Sequence, residues 1–357
     1  MKIVYGVSGD GLGHVFEARE IVRTLQDDGH IVKVLTYGER ALQNLAAFAP
    51  TRIEGVQQVY GTRGLSLWKT LRQNRAIFPF YFNHGRRLLR ELAAFRPDVF
   101  LTAYEPFTTF AAHQLRKPLI SIDNQNELPH IELRPGSDAF SYHLTCLATR
   151  IVTYGATAYI VKTFNPQTRL PERRHRVAPI IQHEIRGLVP TTGEHVLVYL
   201  TKENPELIAL LKTIDESFVI YCLNRIGQDG NLTYRRQGPS FLPDLKDCKA
   251  IIGTTGFSLI ADALYLKKPY FGVPLKGQFE QTHNAHFLAD SEVGDFSENP
   301  SREQLVRFFS HLPNYRIKLM EYALDPGEQE RTLRCVLSQL ESQLSAAGAE
   351  HQVPVAI

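Results

Sequence analysis

Long apolar runs are missing from this chain: nowhere does it approach the roughly 20 consecutive apolar residues that cross a bilayer. Cysteine is scarce as well. Cys146, Cys222, Cys248 and Cys335 stand far apart with no Cys-x-x-Cys pair, so disulfides and a zinc site are disfavoured and buried reduced thiols are expected. Neither sign of charge dominates. A formal charge of +3 is too small to call for a polyanion, and no recognised nucleic-acid-binding motif is present, so nucleic acid is not an expected partner. The opening residues MKIVYGVSGDGLGH lack the charged-then-apolar order of a leader. The expected location is therefore the cytoplasm, with at most peripheral contact at the cytoplasmic face of the membrane.

What is present is an alternation of short apolar runs and amphipathic stretches. At 357 residues the chain is long enough for two domains. In the first half, strands are expected at Lys2–Val7, Ile31–Thr36, Asp98–Thr102, Leu119–Ile122 and Ile151–Tyr154. Helices are expected near His14–Asp28, Pro106–Leu115 and Asp138–Leu147, the first stopped by Gly29. A proline-punctuated stretch follows, and the rhythm restarts. Strands are expected at His195–Leu200, Phe218–Leu223, Ala250–Ile252 and Tyr270–Val273, and helices near Pro205–Thr213, Phe257–Leu266, Gln278–Asp290, Ser301–Leu312 and Gly327–Ala346. Such alternation predicts an α/β fold with two Rossmann-like domains, each a parallel sheet covered on both faces. The expected bounds are 1–185, a linker at 186–193, 194–345, and a tail at 346–357.

Two glycine turns carry the chemistry. Gly6-Val-Ser-Gly9-Asp-Gly11-Leu-Gly13-His14 joins the first strand to the first helix. Its spacing is Gly-x-Gly-x-Gly rather than Gly-x-Gly-x-x-Gly, and the second strand ends in Leu35-Thr36-Tyr37-Gly38 without the acid of a dinucleotide site. Nicotinamide chemistry is thereby disfavoured. Gly11 and Gly13 leave room for a ligand at the helix start, although a purely structural turn has the same composition. A neutral imidazole at His14 is placed to take a proton from a hydroxyl; a helix-start histidine also serves as a cap.

In the second half, Gly253-Thr254-Thr255-Gly256-Phe257-Ser258 leads into a helix carrying Asp262. The opening amides suit a diphosphate, the hydroxyls of Thr254, Thr255 and Ser258 add donors, and Asp262, one turn beyond Ser258, suits ribose hydroxyls. Glu280 and Gln281, at the head of a later helix, pair an acceptor-only group with a mixed donor and acceptor, as sugar hydroxyls require.

The order Gly256…Asp262…Lys268-Pro269…Val273-Pro274…Glu280-Gln281…Asn284-Ala285 resembles the donor-site signature of GT-B glycosyltransferases, notably the peptidoglycan UDP-N-acetylglucosamine transferase and the UDP-glycosyltransferases. Gly11-Leu-Gly13-His14 is similar to their acceptor-side loop. Ile120–Gln125 resembles a set of uncharacterised bacterial and archaeal glycosyltransferase-like proteins. The resemblance implies a glycosyltransferase that takes a hexose or N-acetylhexosamine from a nucleotide sugar, UDP-linked by analogy, and passes it to a hydroxyl of a glycan, lipid-linked or other acceptor. It implies His14 as general base of an inverting displacement, Asp262 in the place of a ribose-binding glutamate, Thr254 in the place of a phosphate-binding histidine, and Glu280 and Gln281 on the donor sugar. No cofactor is expected. The sequence also lacks the Asp-x-Asp pair through which metal-dependent transferases recruit a divalent ion, so no metal is expected either.

Glu105 and Asp123, each after a strand, stand as acids that orient His14 or bind acceptor, or as plain loop acids. The stretch 62–96 mixes Arg63, Lys69, Arg72, Arg75, Arg86, Arg87, Arg90 and Arg96 with Leu, Trp and Phe. It suits an anionic membrane surface or an acidic acceptor, and equally a helical pair with arginines in solvent. Two alternatives share the fold: a non-hydrolysing UDP-sugar 2-epimerase, and a non-catalytic nucleotide-sugar- or polysaccharide-binding protein.

Overall fold

The computed structural model describes the chain except residues 57–59, 62–63, 66–71, 73, 76–83, 166–168, 222–224 and 351–357. Much of the 62–96 stretch and the expected tail beyond Glu350 lie outside the described residues. The described end of that stretch, helix His84–Phe95, buries Leu88 and Leu92 and leaves Arg86, Arg87 and Arg90 in solvent.

Two seven-stranded sheets form the scaffold. The first comprises β1 (Lys2–Val7), β2 (Ile31–Thr36), β3 (Thr51–Arg52), β4 (Val99–Ala103), β5 (Leu119–Asp123), β6 (Ala158–Lys162) and β7 (Arg174–Val177), in the order β3-β2-β1-β4-β5-β6-β7. Every pairing is parallel, with Val7 opposite Thr36 on one side and Ala103 on the other. The second comprises β8 (His195–Tyr199), β9 (Ser217–Tyr221), β10 (Gly227–Asp229), β11 (Leu232–Arg235), β12 (Ala250–Gly253), β13 (Tyr270–Gly272) and β14 (Gly294–Phe296). It is parallel except for the β10–β11 edge. Central strands read as unbroken apolar runs because helices cover both faces. The chain passes between sheets in the segment from Val177 to His195, which contains the expected linker.

Helix α1 (Gly13–Asp27) follows β1 and buries Val15, Ala18, Ile21, Val22 and Leu25 at helical spacing. It ends at Gly29, whose φ of +79° suits glycine. Further helices are α2 (Pro106–Gln114), α3 (Ala139–Val152), α4 (Phe257–Tyr265), α5 (Phe279–Asp290) and α6 (Glu328–Glu350).

Two expectations are corrected. Ile151–Tyr154 is no strand: α3, capped by Asp138, ends at Val152, Thr153 and Tyr154 lie in the turn that follows, Ile151 and Tyr154 are exposed, and the strand starts beyond Gly155 at Ala158. The expected second-domain limit at residue 345 also placed α6 with the second sheet. Its apolar face, Leu333, Val336, Leu337 and Leu340, instead completes the core of the first sheet, and its helix continues to Glu350 rather than ending at 346.

Candidate active site

The β1–α1 and β12–α4 turns both open at the carboxyl ends of parallel sheets, where ligands of such folds bind. They face each other across the domain seam. Gly11, with φ of +134°, makes the first turn, and Gly13 lets the domains approach: a β-carbon there would lie 2.6 Å from Ser258 Oγ on α4. Gly253 is demanded by packing against Tyr199 and Tyr270, whereas a β-carbon on Gly256 would meet open space. Neither α1 nor α4 has a side-chain cap, so their first amides are available to a ligand.

His14 lies at the second position of α1. Its ring is parallel to Tyr104, with centroids 6.3 Å apart, and its Nε2 is 3.4 Å from the Gln125 amide nitrogen. Its Nδ1 is buried with no hydrogen-bond partner among the described residues. Burial first, and the Lys162 ammonium second, push its pKa down to about 3, so the imidazole is neutral at physiological pH.

Asp123 does not reach His14 by any hydrogen bond. Its oxygens accept from Ser121 Oγ and from the backbone and side-chain nitrogens of Asn126. The expected orienting acid is therefore the organiser of the turn at 123–127. That turn projects Asn124 and Gln125 across the seam, where their amides donate to the two carboxylate oxygens of Glu280 at 2.8 and 3.0 Å. Burial raises the pKa of Glu280 and the two amides oppose the rise.

Glu105 has a different task. Its carboxylate caps α2, accepting from the amides of Phe107 and Thr108 and from the Thr108 hydroxyl. Both oxygens are spoken for and the residue is wholly buried, so Glu105 is a structural cap. Glu105→Ala is expected to cost about 2 kcal/mol of stability. Turnover per folded molecule should be unchanged; denaturant melts alongside initial rates check both.

In the second domain, Thr254 Oγ1 meets Thr201 Oγ1 at 2.9 Å and Thr255 Oγ1 donates to the Gln281 carbonyl at 2.7 Å. Gln281 accepts from the Leu275 amide through Oε1. Thr255 thus locks the β12–α4 turn to α5, Thr254 ties the same turn to the segment after β8, and Gln281 holds α5 to the segment before it. Asp262 is different. It is 6% exposed, its carboxylate forms no hydrogen bond among the described residues, and burial followed by the Glu17 charge drives its pKa well up.

Sequence reasoning missed Glu17 and Lys162. Glu17 is 4% and Lys162 1% exposed; they form an ion pair at the seam. Glu17 also lies 3.5 Å from Ser258 Oγ, and the Lys162 ammonium stands 5.7 Å over the Phe257 ring of the second domain. The available signal was a charge on the inward face of α1 and a lysine closing an apolar strand, each of which demands a buried counter-charge.

Two facing Rossmann-like domains with glycine turns at a common seam are the architecture of the GT-B fold. Residues 1–313 match the profile of Glycosyl transferase family 1, and the chain belongs to that family. An uncharacterised glycosyltransferase of Methanosarcina acetivorans is 23% identical over 337 residues, spanning 82% of this chain and 85% of its own. Among solved structures, spinosyn rhamnosyltransferase SpnG complexed with thymidine diphosphate aligns with a TM-score of 0.63 at 14% identity, covering 94% of this chain and 100% of its own. MurG of Acinetobacter baumannii aligns at 0.60 and 16%, covering 94% and 99%.

Proposed function

We propose that this glycosyltransferase is an inverting, metal-independent enzyme that moves a hexose or N-acetylhexosamine from a nucleotide sugar to a hydroxyl of a glycan or lipid-linked acceptor. The observation that carries the donor site is Asp262: a buried carboxylate at the seam, with no hydrogen-bond partner among the described residues and a repelling neighbour in Glu17. A ribose offers two hydroxyl donors to such a group. The uncapped start of α4 supplies amides for the diphosphate. SpnG, of the same fold, is solved with thymidine diphosphate, which supports a nucleoside diphosphate as the leaving group.

In the proposed reaction, the acceptor oxygen attacks the anomeric carbon and His14 Nε2 takes the hydroxyl proton. The bond from that carbon to the β-phosphate oxygen breaks, and the electron pair leaves with the nucleoside diphosphate. Attack opposite the leaving group inverts the centre. The α4 amides stabilise the charge that develops on the diphosphate.

A thermal-shift panel of UDP-, GDP-, dTDP- and CMP-sugars tests the reading. The matching nucleotide sugar at a hundred times its Kd should add about 2.7 kcal/mol of apparent stability. No shift with any of them would sink it. Asp262→Asn sharpens the test, because its two effects have opposite sign. A carboxyl whose folded pKa is raised destabilises the fold as pH rises above the unfolded value, so removing the charge should raise Tm at pH 7. The same change should weaken donor binding about 10- to 100-fold, the loss of a hydrogen bond to a charged group. Calorimetric titration with the donor checks the second half.

A further inference from the structure

The seam contact between Asn124, Gln125 and Glu280 has a consequence for the chemistry of His14. An ionised Glu280 accepts only, so it turns the nitrogen of the Gln125 amide toward itself. That same nitrogen lies 3.4 Å from His14 Nε2. Facing a donor, Nε2 is suited to present its lone pair, which leaves the single proton of the neutral ring to Nδ1, a buried atom with no hydrogen-bond partner among the described residues. No other side-chain hydrogen bond to the ring is found among the described residues, and Asp123 is fully engaged with Ser121 and Asn126.

We propose that Gln125 is the positioning residue of this site: held by Glu280 from the opposite domain, it fixes His14 as the Nδ1–H tautomer with its lone pair at Nε2 directed to the seam. The inference rests on the reading of His14 as base and says how the base is prepared. It also ties the base to the donor. The Glu280 oxygens that hold Gln125 and Asn124 are the ones offered to donor-sugar hydroxyls. A sugar hydroxyl that joins them shares the carboxylate with the Gln125 amide, so the His14 tautomer is held in the donor complex as well. Gln125 Oε1, buried and without a partner among the described residues, is available to a substrate hydroxyl.

The test uses the full, ligand-free chain labelled with 15N-histidine, with the His14 resonances identified by their loss in His14→Gln. In the wild type, His14 should show a protonated Nδ1 and an unprotonated Nε2 at pH 7.5. Gln125→Ala and Glu280→Gln should both replace this pattern with a mixture of tautomers. In Gln125→Ala, kcat should fall roughly tenfold to a hundredfold, within the range of a partly disabled general base. Affinity for bare UDP or dTDP should be unchanged, since neither nucleotide carries the sugar that reaches Glu280. A wild-type His14 protonated at Nε2 would overturn the proposal, as would an unaltered tautomer in Gln125→Ala. Undiminished turnover in His14→Ala would instead overturn the base assignment and leave the tautomer result standing.

Discussion

His14→Ala should lower kcat by about 10²- to 10⁴-fold, the range that general-base catalysis supplies, while nucleoside diphosphate affinity stays at the wild-type value. The separation follows from the architecture. His14 belongs to the first domain, whereas the groups proposed for ribose and diphosphate, Asp262 and the start of α4, belong to the second. The pH profile provides a second readout. With a pKa near 3, the free imidazole is unprotonated throughout the neutral range, so the acid limb of kcat/KM due to His14 should lie well below pH 6.5. An imidazole that acidic is a weak base. In the proposed donor complex the diphosphate would bring negative charge toward the ring and offset the Lys162 ammonium, the second cause of the shift after burial, which favours the protonated form and raises the pKa. The acid limb of kcat, reporting the complex, should therefore lie above that of kcat/KM. Steady-state rates from pH 4 to 9 should show no His14 limb in kcat/KM above about pH 4 and locate the limb of kcat.

Lys162→Met should be the most damaging substitution for stability, at about 3–5 kcal/mol, because it strands Glu17 as an uncompensated buried charge. The damage is compounded by position. Glu17 already raises the Asp262 pKa through repulsion, and without Lys162 the two acids lack the seam's buried cation. At roughly 2–4 °C per kcal/mol for domains of this size, Tm should drop by about 6–20 °C. Removing the partner as well, in Lys162→Met/Glu17→Met, should restore most of the loss, since a hydrophobic pair of similar volume replaces two desolvated charges. Denaturant melts of the two singles and the double close the cycle. A neutral effect in the single variant would mean that the pair is solvated and that the seam is wet.

The α/β repeat was legible because its signals are local. The β1 and β12 apolar runs, the helical spacing in α1 and the glycine turns can each be read within about 20 residues. Ile151–Tyr154 failed for the opposite reason: a β-branched and aromatic quartet, Ile-Val-Thr-Tyr, looks the same at the end of a helix as in a strand, and only the Asp138 cap and Gly155 settle it. The destination of α6 is equally non-local, since an amphipathic helix does not state which sheet it covers. In the site, the glycine turns, His14, Asp262 and Glu280 were visible through residue type and spacing. Glu105 followed by Pro106 was a readable cap signature, proline being favoured at the first helical position. The Glu17–Lys162 and Gln125–Glu280 contacts join residues 145 and 155 positions apart, and no window of sequence contains them.

Crystals soaked with the nucleotide sugar selected by the thermal panel give the most direct measurement. Density is expected for a diphosphate against the amides of Phe257 and Ser258, with both ribose hydroxyls on Asp262 and a sugar hydroxyl on Glu280. A nucleotide bound elsewhere, with the Asp262 carboxylate still without a partner, would contradict the account.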